Sequence, residues 1–171
     1  VVAEVNDRVP WTHSEKKFRK EDFALLMESS RDPASPPAAR AGAIEASIAS
    51  HAADFIADGA TLEFGLGILP DAVCAALQDR KSLKVHSGTI GDGVVDLMQR
   101  GAVAAADCAM LIGTRKLFDF ARDNPAIRLR STEYTHDPRV LASLPRFVAI
   151  NSAVEVDLTG QVNAEVANGS Y

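Results

Sequence analysis

The chain has 171 residues, of which 47% are hydrophobic and 24% charged, with a formal charge of −5. That is the composition of an ordinary globular protein, long enough to bury about 70% of its unfolded surface without a disulfide or metal staple. No apolar run approaches the ~20 residues of a membrane span. The densest basic stretch, Lys16, Lys17, Arg19 and Lys20, is followed at once by Glu21 and Asp22, so it reads as a solvated loop rather than a nucleic-acid patch.

Residues 1–5 (VVAEV) predict a short strand rather than a basic leader with a cleavage site. A chain that opens on strand text without Met is expected to be cut from something larger. A loop over 6–14 and a second strand-like run over 23–27 follow. Residues 31–37 (RDPASPP) carry three prolines in seven positions, which denies them both helix and ladder. This linker divides the chain into 1–37 and 38–171.

Beyond it, Ala41, Ile44, Ile48, Ala52 and Phe55 recur at helical spacing, predicting a helix over 38–58 that Gly59 ends. Strands are predicted over 61–64, 83–86, 109–112, 127–129 and 147–150. Helices are predicted over 70–77, 93–100, 116–122 and 138–143. Residues 154–166 read as a closing hairpin turning at Thr159-Gly160. Strands alternating with helices across short loops indicate an α/β fold whose largely parallel sheet is flanked by helices. Cys74 and Cys108 each sit in an apolar run, which suits reduced core thiols in a cytosolic protein better than a disulfide.

Three stretches are candidates for chemistry. In the first, Glu63 and Phe64 lead into Gly65-Leu66-Gly67-Ile68-Leu69-Pro70-Asp71. Two glycines between strand and helix let a ligand approach the backbone, and the helix start offers N–H groups to an anion. A tight turn with no ligand explains the same residues. A dinucleotide fingerprint needs a third glycine where Pro70 stands.

The second stretch, Val85-His86-Ser87-Gly88-Thr89-Ile90-Gly91-Asp92-Gly93, is expected at a strand's C-terminal end, where open α/β sheets bind ligands. His86 and Ser87 are no catalytic dyad, because neighbours on a strand point to opposite faces; His86 equally suits the edge of the core. The third runs from Asn151-Ser152-Ala153 through Glu155 and Asp157 to Asn163. The four histidines and two cysteines have no metal-ligand spacing.

Taken together and in this order, these stretches resemble the acetyl-CoA hydrolase and 4-hydroxybutyrate CoA-transferase family. The likeness includes Ala3-Glu4-Val5-Asn6, Pro10-Trp11-Thr12-His13, Asp92-Gly93-Val94-Val95-Asp96-Leu97, Gly113-Thr114-Arg115-Lys116-Leu117 and Asp137-Pro138-Arg139-Val140. The most specific block is Asn151 through Asn163. The resemblance implies a CoA-transferase-like fold with two α/β domains: residues 1–37 would be the tail and linker of the first, and 38–171 the second, truncated at its end.

It further implies acyl-CoA and a small carboxylate as substrates, no bound cofactor besides coenzyme A, a homodimer, and a cytoplasmic location. Gly65, Leu66, Gly67, Ile68 and Leu69 would lie against CoA, with Asn151, Ser152 and Ala153 near the thioester and His86 and Ser87 lining the site. Such enzymes pass the acyl group through a glutamyl-CoA thioester, a carboxylate splitting one hard exchange into easier steps. Gly88 stands where the family carries that glutamate. With no carboxylate there, chemistry would need water attack or another acid; Glu63 is the nearest by motif. The alternative is a CoA-binding homologue without activity, serving as a regulatory or structural subunit. Residues 101–109 also look shorter than the family's, and Tyr171 precedes its usual Gly-rich segment.

Overall fold

The computed structural model describes residues 1–36 and 41–166. Ten strands and six helices alternate among them. Strands β1 (Val2–Asn6) and β3 (Leu25–Ser29) pair in parallel as a separate two-stranded sheet. The main sheet has six strands in the order β2-β7-β6-β5-β4-β8. These are β2 (His13–Ser14), β7 (Ile127–Leu129), β6 (Val103–Leu111), β5 (Leu83–Ile90), β4 (Thr61–Phe64) and β8 (Phe147–Ile150), every neighbouring pair parallel. This is the expected architecture. The predicted hairpin is present as β9 (Glu155–Val156) against β10 (Val162–Asn163), with Gly160 at φ +87° in its turn.

Four helices share one core with the sheet: α1 (Ala43–Asp54), α2 (Ile68–Ala76), α3 (Asp92–Gln99) and α4 (Arg115–Ala121). Leu62, Val85, Ala106 and Cys108 of the strands are buried in one cluster with Val73, Leu77, Val95, Leu97 and Leu117 of the helices. Both cysteines are free and buried there, and burial pushes each thiol up to about 12. Alternation along β5 sends His86 and Gly88 to the sheet's other face. There a one-turn helix, α5 (Thr132–Thr135), covers β5 and β6, followed by α6 (Pro138–Ser143).

Several sequence expectations require correction. Strand β5 continues to Ile90, so Gly88 lies inside a strand rather than at its end. Strand β6 begins at Val103, six residues before the predicted start. Helix α1 starts at Ala43, not 38; residues 38–40 lie outside the described residues. Its apolar stripe also faces away from the core: Ile44 and Phe55 are 73% and 83% exposed, while Ala49 and Ala53 are buried. Alanines on the inner face let α1 lie close to α2.

Two glycines are required by geometry. Gly67 precedes α2 with φ +120°, a conformation closed to side-chain-bearing residues, and it makes the sharp strand-to-helix turn. Helix α2 therefore starts at Ile68, and Pro70 falls in the first turn, where its missing N–H has no helical acceptor. Gly93 lets α3 meet α2: a Cβ there would stand 2.9 Å from both Asp71 Oδ1 and the Cys74 Cβ.

Candidate functional site

The C-terminal ends of β4, β5 and β6 enclose a pocket of about 350 Å³. Gly65, Leu66, Gly67 and Ile68 form one wall, Thr89 to Asp92 another, with Ile112 and Gly113 closing the far side. It lies where open parallel sheets place their ligands. Phe64, Leu66, Ile68, Pro70, Ile90, Val94 and Ile112 make its lining largely apolar.

The charge here is negative, contrary to an anion-binding loop. Asp71 and Asp92 are the charged residues of the lining. Burial pushes the Asp71 carboxyl above its ordinary value; Asp92 and Asp96 add to this, while the Gly93 N–H and Lys116 oppose it. Asp92 is spent on structure, accepting from the backbone N–H of Thr114 at 3.0 Å and of Leu117 at 3.1 Å, which ties α3 to the start of α4. Lys116, the nearby cation, is paired with Asp96. A pocket of this kind suits an uncharged, partly apolar group better than a phosphate.

The structure brings together only some of the expected site residues. Leu69 is half-buried on α2 outside the pocket lining. Glu63 is half-buried on β4 beside Ala149, has no side-chain partner among the described residues, and does not line the pocket. Asn151, Ser152 and Ala153 are exposed beyond the end of β8. Since Phe64 and Ile150 are paired, Gly65 and Asn151 leave the sheet side by side.

Ser87 is buried, its hydroxyl donating to the Phe64 carbonyl at 2.9 Å and accepting from the Phe64 N–H at 3.3 Å. Both bonds lock β5 to β4 and leave no free nucleophile. His86 is 3% exposed; its Nε2 donates to the Thr135 carbonyl at 3.1 Å and its ring packs on Tyr134.

Gly88 faces away from the helical core, toward His136. A Cβ built on Gly88 would stand 3.0 Å from His136 Cε1 and 3.1 Å from its Nε2. Reading the sequence alone missed this neighbour, because α5 is one turn long and shows no period. What holds α5 in place is a polar layer on this side of the sheet. Asp107 on β6 pairs with Arg128 and Arg130. Arg130 reaches Glu15 at 3.0 Å and lies over the Tyr134 ring. Glu15 also accepts from the Ser131 N–H at the start of α5, and that bond, then Arg130, holds its carboxyl below the usual value.

A six-stranded parallel sheet carrying a Gly-x-Gly strand-to-helix loop defines an α/β domain with a pocket at the C-terminal edge of its sheet. Residues 113–171 match the acetyl-CoA hydrolase/transferase C-terminal domain family. The chain is 36% identical to 4-hydroxybutyrate coenzyme A transferase of Clostridium kluyveri, over 96% of this chain and 41% of that protein. It is 35% identical to succinyl-CoA:acetate/propanoyl-CoA:succinate CoA transferase of Fasciola hepatica, over 96% of this chain and 37% of that one. The crystal structure of RipA from Yersinia pestis superposes with a TM-score of 0.91 at 30% identity, covering 99% of this chain and 41% of that chain. The chain belongs to the acetyl-CoA hydrolase/CoA-transferase family, and it spans about two-fifths of the length of these relatives. Among the described residues no helix is long and apolar enough to cross a membrane, and no cluster of His, Cys, Asp and Glu is arranged to hold a metal.

Proposed function

We propose that this chain is the C-terminal part of an enzyme that hydrolyses acyl-CoA thioesters, with the acyl-pantetheine end of the substrate against the Gly65–Ile68 loop. The observation that carries this reading is the apolar pocket at the sheet's C-terminal edge, its size and lining matched to a small uncharged group. Gly88 favours hydrolysis over carboxylate transfer. A glycine cannot be acylated, so the glutamyl thioester on which transfer depends has no site at that position.

The proposal includes the boundary at 31–37, with the rest of the site supplied by the preceding domain. It also includes a homodimer, a cytoplasmic location, and no resident cofactor besides the CoA of the substrate. Gly88 supports a second reading as well, a subunit that binds CoA without turning it over.

The test fills the pocket without disturbing the fold. A Cβ on Gly65 would meet nothing within 4 Å, so a larger side chain has room to enter the pocket. In the full-length protein, Gly65→Leu is expected to keep the wild-type Tm and weaken acetyl-CoA binding at least about tenfold by calorimetry, the order expected for displacing one well-packed apolar group. Unchanged affinity would move the substrate out of this pocket.

A further inference from the structure

We infer that Asp71 sets the acyl specificity of this site, its carboxylate admitting uncharged acyl groups and turning away those that end in a carboxylate. This inference rests on the reading that the acyl-pantetheine end of an acyl-CoA lies in the Gly65–Ile68 pocket.

Asp71 belongs to that pocket. It shares the lining with Gly65 to Ile68 and, across the cavity, with Gly91 and Asp92. A Cβ built on Gly91 or Gly93 would stand 3.7 or 2.9 Å from Asp71 Oδ1, and the Gly93 N–H donates to the same carboxyl. The carboxyl is thereby seated at the start of α3. An acyl group lying between the Gly65–Ile68 loop and that helix start has Asp71 for a neighbour.

The groups that would offset a negative charge on the ligand are already taken. Among the described residues no lysine, arginine or histidine lines the pocket. Lys116 is paired with Asp96, and Arg115 with Asp119 at 3.0 Å and Asp32 at 3.7 Å. Helix starts attract anions through their free N–H groups. Here Asp71 occupies the start of α3, and Asp92 occupies the start of α4 by accepting from the Thr114 and Leu117 N–H groups. Helix α2 carries Asp71 in its own first turn. The protein's own carboxylates thus use the positive ends that a ligand carboxylate would need.

Partial burial pushes the Asp71 carboxyl above its ordinary value, and Asp92 and Asp96 push it further. The site therefore resists even one negative charge. A second, carried by a ligand, meets the same desolvation together with repulsion from the first. An uncharged chain meets neither. Phe64, Leu66, Ile68, Ile90, Val94 and Ile112 offer it apolar contact, and each methylene buried there should raise affinity roughly fourfold.

The experiment measures binding of two CoA thioethers, S-carboxyethyl-CoA and S-carbamoylethyl-CoA, to the full-length protein by calorimetry. The two have the same shape and differ in one charge. Neither has a thioester to cleave, so binding is read whether or not the protein turns over acyl-CoA. Wild type is expected to hold the amide at least about tenfold more tightly than the carboxylate, the order of a like-charge repulsion in a partly dry pocket. Asp71→Asn keeps an oxygen that accepts from the Gly93 N–H and loses the charge. In that variant the carboxylate is expected to gain at least about fivefold in affinity, so that the preference collapses. Asp79→Asn removes the same charge from an exposed residue outside the lining, and it is expected to keep the wild-type ratio.

Equal affinities in wild type, or a preference that survives Asp71→Asn intact, would overturn the inference. The wild-type comparison decides even where the variant fails to fold. A preference lost equally in Asp79→Asn would reveal an effect of net charge and overturn it as well. In each of these cases weaker binding of both thioethers by Gly65→Leu would leave the placement in the pocket standing. Gly65→Leu without effect on either thioether would remove that placement, and the inference with it.

Discussion

Placing a carboxylate at position 88 by Gly88→Glu is expected to bring no carboxylate transfer with it. The reason is spatial. The new Cβ would sit 3.0 Å from His136 Cε1 and 3.1 Å from Nε2, so the ring must give way before the side chain extends. His136 is exposed and able to move, but moving breaks its 2.9 Å contact with Thr135 Oγ1. The single variant thus displaces the imidazole without placing a carboxylate where an acyl group is presented. Gly88→Glu combined with His136→Ala restores the room, and only that pair is expected to yield a glutamyl adduct trapped by hydroxylamine or borohydride. Transfer activity in the single variant would show that the imidazole does not hold that ground.

The largest loss of stability is expected at Gly93. Valine there brings its Cβ to 2.9 Å from the Cys74 Cβ, a backbone-proximal atom of α2, and from Asp71 Oδ1. The Asp71 carboxyl can swing aside but the Cys74 Cβ is fixed to the helix backbone, so α2 and α3 must separate and the pocket beside them opens. Overpacking of this kind costs about 3 kcal/mol, which lowers Tm by roughly 10 °C for a chain of this size. The bond from the Gly93 N–H to Asp71 is disturbed as well, so CoA affinity should fall together with Tm. Gly65→Leu separates the two effects, because it fills the pocket at a position with no neighbour within 4 Å. Equal Tm for wild type and Gly93→Val by calorimetry would mean that the close approach of the helices is unimportant.

Where a cap and a proline coincide, the sequence was legible to the residue. Helix α6 has Asp137 as its cap and Pro138 as its first residue, and both its ends match the expectation, as do those of β7 and β8. The lengths of β5 and β6 were not legible. His86-Ser87-Gly88 is polar and small, the composition of a strand's end, yet it runs inside a strand. Its polar groups are satisfied by tertiary partners, Ser87 by Phe64 and His86 by Thr135.

The same gap explains the site. The Gly65–Ile68 loop carries its own signal in two glycines and a following helix, and the structure places those four residues around the pocket. The meeting of Gly88 and His136 carries none, since it depends on β5 and α5 packing across the face of the sheet. The direction of α1 was hidden for a related reason. Periodicity marks an apolar stripe but does not say that alanines, rather than Ile44 and Phe55, will be turned inward.

Heavy-oxygen labelling distinguishes hydrolysis from transfer in a single reaction. Full-length wild-type protein is given acetyl-CoA in heavy-oxygen water, with butyrate present as an acceptor and hydroxylamine as a trap. A hydrolase releases CoA thiol in step with acetate carrying the heavy oxygen, with no butyryl-CoA and no adduct on any glutamate. Butyryl-CoA formed together with a trapped glutamyl adduct would contradict hydrolysis and place the nucleophile on a carboxylate other than position 88.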